Sequence, residues 1–308
     1  MFKKTVTGIA ALLAVAITAP ASASTITFTF QPCGNGSCAV ANTDSFDWQQ
    51  GNALALNATN AGAGLPVGTS ITDYYQANLS VSTVTGGATG FSNGTGGDFF
   101  TVVAGFGETV VGSGATFAQF GFDPTNPTNF FYVYHTAALA NDLAGTGFTT
   151  GNIILGGQII DVSASVGVSS GLANLDNHGA NDYPGVQTIN TTGGSNATAL
   201  ITSIDATYFP DLQLGNLLTL ALTQGNLGTP FSQVDPSALF SSNGILNGDF
   251  AHDIGLINGV SGPNFQFQAD TSTAFERTVP EPGTIALLGI ALAGLGMVVR
   301  RRRGVAAA

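Results

Sequence analysis

The groups in this chain able to do chemistry are few and unevenly placed. There are two cysteines, Cys33 and Cys38, three histidines, His135, His178 and His252, and 18 carboxylates. Only seven side chains carry fixed positive charge: Lys3, Lys4, Arg277, Arg300, Arg301, Arg302 and Arg303. From Thr5 to Glu276 there is no lysine or arginine at all. That stretch therefore has no lysine for a Schiff base or a phosphate-binding loop, and no arginine to clamp a phosphoryl group. Between Ser24 and Thr278 stand 17 carboxylates (18 less Glu281) against Arg277 alone, a formal charge of −16. Nucleic acid, with its dense phosphate charge, is excluded as a partner.

Cys33-Gly34-Asn35-Gly36-Ser37-Cys38 is expected to close as a disulfide outside the cytoplasm, because no basic neighbour activates a thiolate for redox work. Two oxygen-rich loops, Asn174-Asp176-Asn177-Asp182 and Asn247-Asp249-Asp253, offer the hard ligands that calcium prefers. Neither matches a fixed-spacing motif, and Asx-rich loops commonly just cap turns. Asp176, Asp182, Asp249 and Asp253 are thus candidate ligands for a possible calcium cofactor. His135 lies in register with Phe131 and Val133, the pattern of a half-buried strand histidine, while His178 and His252 fall in the Asx loops. No zinc spacing and no Gly-x-Ser-x-Gly elbow occurs. Gly145 to Gly151 is a glycine-rich turn without a following helix or lysine. Sugar hydrolysis needs a pair of carboxylates, and nothing in the sequence selects one. The expectation is a protein without catalytic residues.

The elements that would position these groups read as strands. Ile26, Phe28 and Phe30 alternate with Thr25, Thr27 and Thr29; Ala77, Leu79 and Val81 with Asn78, Ser80 and Ser82. The same period of two runs from Ile160 to Ser169 and from Asn264 to Ala269, bounded by Gly/Asn/Asp clusters. Further strands are expected at Phe99–Val103, Thr116–Phe122, Phe130–His135, Thr198–Tyr208 and Leu217–Leu222. A capped helical turn is expected only at Asp235–Phe240. The 42 glycines show no triplet repeat and mark turns. The fold class is all-β, an antiparallel β-sandwich or jelly-roll-like domain over residues 24–269, with a stalk at 270–278.

Both ends differ from this body. Residues 1–23 combine Lys3 and Lys4, an apolar run and Ala21-Ser22-Ala23, the pattern of a signal peptide cleaved after Ala23. Signal peptidase is the expected partner there. At the other end Val279-Pro280-Glu281-Pro282-Gly283 precedes an apolar run, residues 284–299. As a transmembrane helix that run spans about 24 Å, short of the usual ~30 Å hydrocarbon core. Arg300 to Arg303 follow as a cytoplasmic stop, with a tail at 304–308. Pro280, Glu281 and Pro282, the short span and the arginines together resemble the PEP-CTERM sorting signal of exosortase substrates. That resemblance implies cutting by exosortase near Pro280–Pro282, after transient anchoring in the cytoplasmic membrane, and release of the body to the outer surface or extracellular matrix.

Several body segments resemble the flocculation-associated PEP-CTERM proteins: Ser45-Phe46-Asp47-Trp48 with Gly51-Asn52-Ala53-Leu54, Leu143 to Phe148, Asp182-Tyr183-Pro184-Gly185, and Ser261 to Asp270. The resemblance implies a structural or adhesive role in cell aggregation, with an extracellular polysaccharide matrix as partner, and carries over no catalytic residue. Two other readings stand beside it. A carbohydrate-binding module would line a groove with aromatics, for which Trp48, Tyr74, Tyr75, Tyr132 and Tyr134 are the candidates. A polysaccharide-degrading enzyme would need the unselected carboxylate pair. An ice-binding face would need repeated threonine pairs, and the stripe Thr25-Thr27-Thr29 stands alone.

Overall fold

The computed structural model describes residues 24–58, 65–140, 147–174, 187–224 and 265–277. They form twelve strands: β1 (Ser24–Thr25), β2 (Phe28–Phe30), β3 (Val40–Leu56), β4 (Ser70–Val84), β5 (Ala88–Ser92), β6 (Phe99–Gly114), β7 (Phe117–Phe122), β8 (Phe130–Thr136), β9 (Asn152–Asn174), β10 (Gln187–Ile204), β11 (Leu217–Gln224) and β12 (Phe265–Arg277). The helical content of the described residues is one 3-10 turn at Thr95–Gly97. The expected turn at 235–240 lies outside them.

All pairings with a resolved register are antiparallel, and they return on themselves. β3 pairs β4, β4 pairs β6, and β9, β10, β11 and β12 follow in order, with β12 pairing back onto β3. Between β6 and β9 the position is shared. β8 fills it opposite Phe99–Gly105, and β7 fills it opposite Glu108–Gly114. Closure of this kind leaves neither end of the path as an open edge, the chief hazard of a long antiparallel sheet.

Strand alternation explains what fills the ring. From β4 point Ile71, Tyr75, Ala77 and Leu79, and from β6 Phe100, Val102, Ala104, Phe106 and Val110. β8 adds Phe131 and Val133, β10 Ala197, Ala199 and Ile201, and β11 Leu218, Leu220 and Leu222. These residues form one cluster, and its two ends differ. One end is aromatic: Phe28, Phe30, Phe46, Phe209 and Phe275 meet with ring centroids 4.5 to 6.3 Å apart. The other is lined by Ala53, Ala55, Ala58, Ala164 and Gly194, too small to meet across the interior. On the outside of β3, β4, β6 and β8 a second cluster gathers Leu56, Tyr74, Val103 and Tyr134 under Ala140 and Phe148.

Two bulges break the expected alternation. On β4, Asp47 pairs Val81 while Trp48 pairs Leu79, so Ser80 is an extra residue. Val81, expected in line with Ala77 and Leu79, turns out of the core, and Ser82 turns in. On β9, Asp161 pairs Thr198 while Ile159 pairs Ala199, which makes Ile160 the extra residue. Ile159 is then fully buried and Ile160 is 41% exposed. A one-residue insertion reverses every face beyond it. The stalk expected at 270–278 is likewise corrected over most of its length: Asp270 to Arg277 are the second half of β12, hydrogen-bonded to β3 and β11. Buried Thr271, Thr273 and Phe275 hold it there, and the compact unit runs to Arg277.

Candidate functional site

The alanine-lined end of the ring holds a cavity of about 50 Å³ that opens to solvent. Apart from Tyr74 and Tyr75 its polar lining groups are three: Asp73 from β4, Glu108 from β6 and Ser195 from β10. Pairing explains how the acids meet. Asp73 lies opposite Phe106 and Ile71 opposite Glu108, so the two carboxyls are diagonal neighbours on the inward face. They hydrogen-bond to each other. Asp73 is 8% exposed and Glu108 3%. Asp73 Oδ1, Glu108 Oε1 and Ser195 Oγ are buried without any hydrogen-bond partner.

Burial sets the protonation of this pair. The apolar surroundings push the Asp73 carboxyl up to about 6, against the opposing effect of its hydrogen bond with Glu108. Glu108 rises well above the usual carboxylate range, first through burial and then through the neighbouring Asp73 charge and hydrogen bond. At neutral pH the pair therefore holds one proton and one negative charge, as two touching carboxyls must. Glycoside hydrolysis requires its carboxyls about 5–5.5 Å apart for retention, or about 6.5–9.5 Å for inversion. A hydrogen-bonded pair is too close to flank a glycosidic bond.

A second polar cluster lies at the aromatic end. His135 Nε2 is 2.8 Å from Asp98 Oδ1, and its Nδ1 is 2.9 Å from the Tyr208 hydroxyl. The half-buried strand histidine expected from register is found, with both ring nitrogens engaged. Burial and the nearby Asp205 and Asp98 charges push the Tyr208 phenol up, so it is no readily ionised nucleophile. The disulfide Cys33–Cys38 is formed and belongs to this end. Gly34, at φ 64°, brings its backbone onto the Tyr208 ring, where an added Cβ would lie 3.3 Å from the phenol carbon. Closing so short a loop contributes roughly 2 kcal/mol in the chain-entropy model.

Four of the five aromatics considered for a glycan groove are core residues. Trp48, Tyr74 and Tyr75 are each 1% exposed and Tyr134 3%. The Trp48 indole donates to Thr273 Oγ1 at 3.3 Å, inside the ring. Only Tyr132 is partly accessible, stacked on Phe130 at 5.4 Å. The threonine stripe is also accounted for in part: Thr29 donates to the Asp211 carboxylate through its backbone N–H at 2.8 Å and its hydroxyl at 3.0 Å.

The calcium candidates Asp176, Asp182, Asp249 and Asp253 lie outside the described residues, as do His178 and His252. Among the described residues no group of three or more His, Cys, Asp or Glu side chains is placed to hold a metal ion. Ala21, Ala23, Pro280, Glu281, Pro282 and the four arginines also lie outside them, as does the expected span 284–299. No helix among the described residues is long and apolar enough to cross a membrane. Sequence reasoning missed Asp73 and Glu108, which stand 35 positions apart among 18 acids. The one available signal was a carboxylate on the apolar face of each strand, between Ile71 and Tyr75 and between Phe106 and Val110.

No curated protein and no solved structure matches the chain. Residues 278–303 match the PEP-CTERM protein-sorting motif, which follows directly on the last residue of β12. The chain is thus an exported, exosortase-processed protein sorted to the cell surface.

Proposed function

We propose that the body is a structural, adhesive component of the extracellular matrix, acting in cell aggregation and association with exopolysaccharide rather than in catalysis. The observation that carries this reading is the sorting motif at 278–303, placed immediately after a closed and core-filled β domain. Cutting near Pro280–Pro282 would leave every described strand intact. The likeness of Ser45–Leu54 and Ser261–Asp270 to flocculation-associated proteins supports the same role. The first segment lies in β3 and the described part of the second, Phe265 to Asp270, in β12, the two strands that close the ring. The rival reading, a glycan-binding groove, loses most of its aromatic lining to the core. The one buried carboxyl pair among the described residues, Asp73 and Glu108, is too close to flank a glycosidic bond. Deleting the protein and scoring cell clumping by microscopy, with polymer production measured in parallel, tests the proposal. Clumping should fall while polymer output is unchanged. Unchanged clumping would overturn the adhesive role.

A further inference from the structure

The cavity between β4, β6 and β10 presents an unbalanced arrangement. One negative charge is shared by Asp73 and Glu108 in an apolar chamber, and two of their oxygens accept no hydrogen bond. Burying a carboxylate without a partner costs several kcal/mol. Proteins ordinarily offset that cost with an arginine or lysine, and this chain has neither between Thr5 and Glu276. The described elements around the cavity bring no other titratable groups than Tyr74 and Tyr75. Their phenols are neutral at pH 7. The remaining basic nitrogens of that stretch belong to three histidines, and His135 is engaged elsewhere by Asp98 and Tyr208. Among the described residues, therefore, no positively charged group faces the pair.

We propose that this cavity binds a small organic ammonium ion. Its N–H groups would donate to Asp73 Oδ1 and Glu108 Oε1, and its apolar part would lie against Ala53, Ala55, Phe106 and Leu222. Three features select this class. An anion is repelled by the pair. A sugar carries more hydroxyls than the few polar groups of this mostly apolar chamber can satisfy, and the unsatisfied ones would lose their water. A bare divalent ion wants six or more oxygens, which alanine, leucine and phenylalanine walls do not supply. An alkyl or aryl ammonium matches both halves of the chamber, and the rings of Tyr75, Phe106 and Phe120 add a face attractive to cations.

The test uses the protein recovered from the extracellular material after its own processing. Methylammonium, n-butylammonium, benzylammonium, benzyl alcohol, benzoate and calcium chloride are titrated separately by calorimetry at pH 7.5. At least one ammonium should bind saturably at one site per chain. Benzylammonium should bind at least about tenfold more tightly than benzyl alcohol, and benzoate should not bind. Affinity should drop at least about tenfold at pH 4.5, where the pair gains its second proton. Asp73→Asn and Glu108→Gln should each abolish the preference for the ammonium over the alcohol while leaving the far-ultraviolet circular dichroism unchanged. Equal binding of benzylammonium and benzyl alcohol would overturn the proposal. So would one-to-one calcium binding that displaces the amine, saturation that survives both substitutions, or the failure of all three ammonium ions to bind at millimolar concentration.

Discussion

Asp73 shows how one residue is held at a cost by its surroundings. Its carboxyl titrates near an ordinary 3.8 in the unfolded chain and at about 6 in the folded one. The folded state therefore binds its proton more tightly. The penalty for ionising it is absent below about pH 4, grows as pH rises, and is complete above about pH 6. Asp73→Asn keeps the shape and removes the charge. It should raise stability at pH 7 by on the order of 1–3 kcal/mol and change it little at pH 4. Urea unfolding at the two pH values checks this. A loss of stability at pH 7 would mean that the carboxylate has a cationic partner in the folded protein. The neighbouring Glu108 acts in the same direction, so the whole pair is a place where stability has been given up.

Among the elements, β3 and β12 carry most of the consequence. β3 reaches both β4 and β12 only by bulging at Gln49 and Gln50, since Trp48 pairs Leu79 while Asn52 pairs Gln76. At the far side of the bulge Gly51 passes so near β4 that an added Cβ would lie 2.2 Å from the Gln76 carbonyl oxygen and 2.7 Å from Ala77 Cβ. Neither backbone nor Cβ can swing aside. Gly51→Ala should therefore destabilise the fold by about 1–3 kcal/mol through overpacking, measurable as a lower urea midpoint. β12 matters through hydrogen bonding. A chain ended after Asn264 leaves facing edges on β3 and β11 without their partner, and should be recovered as aggregate. A chain ended after Arg277 should be monomeric with an unchanged circular dichroism spectrum. Size-exclusion chromatography of the two distinguishes them, and equal behaviour would show that closure does not matter.

For the molecule as a whole, processing and charge govern behaviour outside the cell. Intact-mass measurement of the extracellular protein should find it beginning at Ser24 and ending near Pro280–Pro282. Finding Arg300 to Arg303 still attached would refute removal of the sorting signal. A body with a formal charge of −16 cannot approach its own copies or an acidic polymer without repulsion. In physiological salt that repulsion decays over about 8 Å and acts mainly at contact. Divalent cations bridging facing carboxylates would relieve it. Chelating calcium and magnesium should disperse clumped cells, and restoring either ion at millimolar levels should re-form the clumps. Restoration by calcium alone at micromolar levels would point instead to a specific site. Clumps unchanged in chelator would rule out bridging.

The sequence alone determined the properties that depend on local order and on counting. Alternation of Phe28 and Phe30 with threonines made a strand whatever its partner, and four intervening residues let Cys33 and Cys38 meet. A tail of Pro-Glu-Pro, apolar run and arginines is a pattern of contiguous residues, so it was legible without a fold. The absence of Lys and Arg between Thr5 and Glu276 was equally plain. Tertiary structure decided the rest, because it depends on pairings distant in the chain. β3, where Asp44 to Gln50 sets only Phe46 and Trp48 among five polar residues, did not announce itself as a strand, since both its edges are satisfied by partners that only the ring supplies. Ser80 and Ile160 reversed faces that alternation had assigned, because a bulge is set by the neighbouring strand's register. Trp48, Tyr74, Tyr75 and Tyr134 went to the core rather than to a groove. Asp73 and Glu108 became a site only when β4 and β6 paired, for the field of one buried carboxyl on another exists at hydrogen-bond distance and nowhere in the sequence.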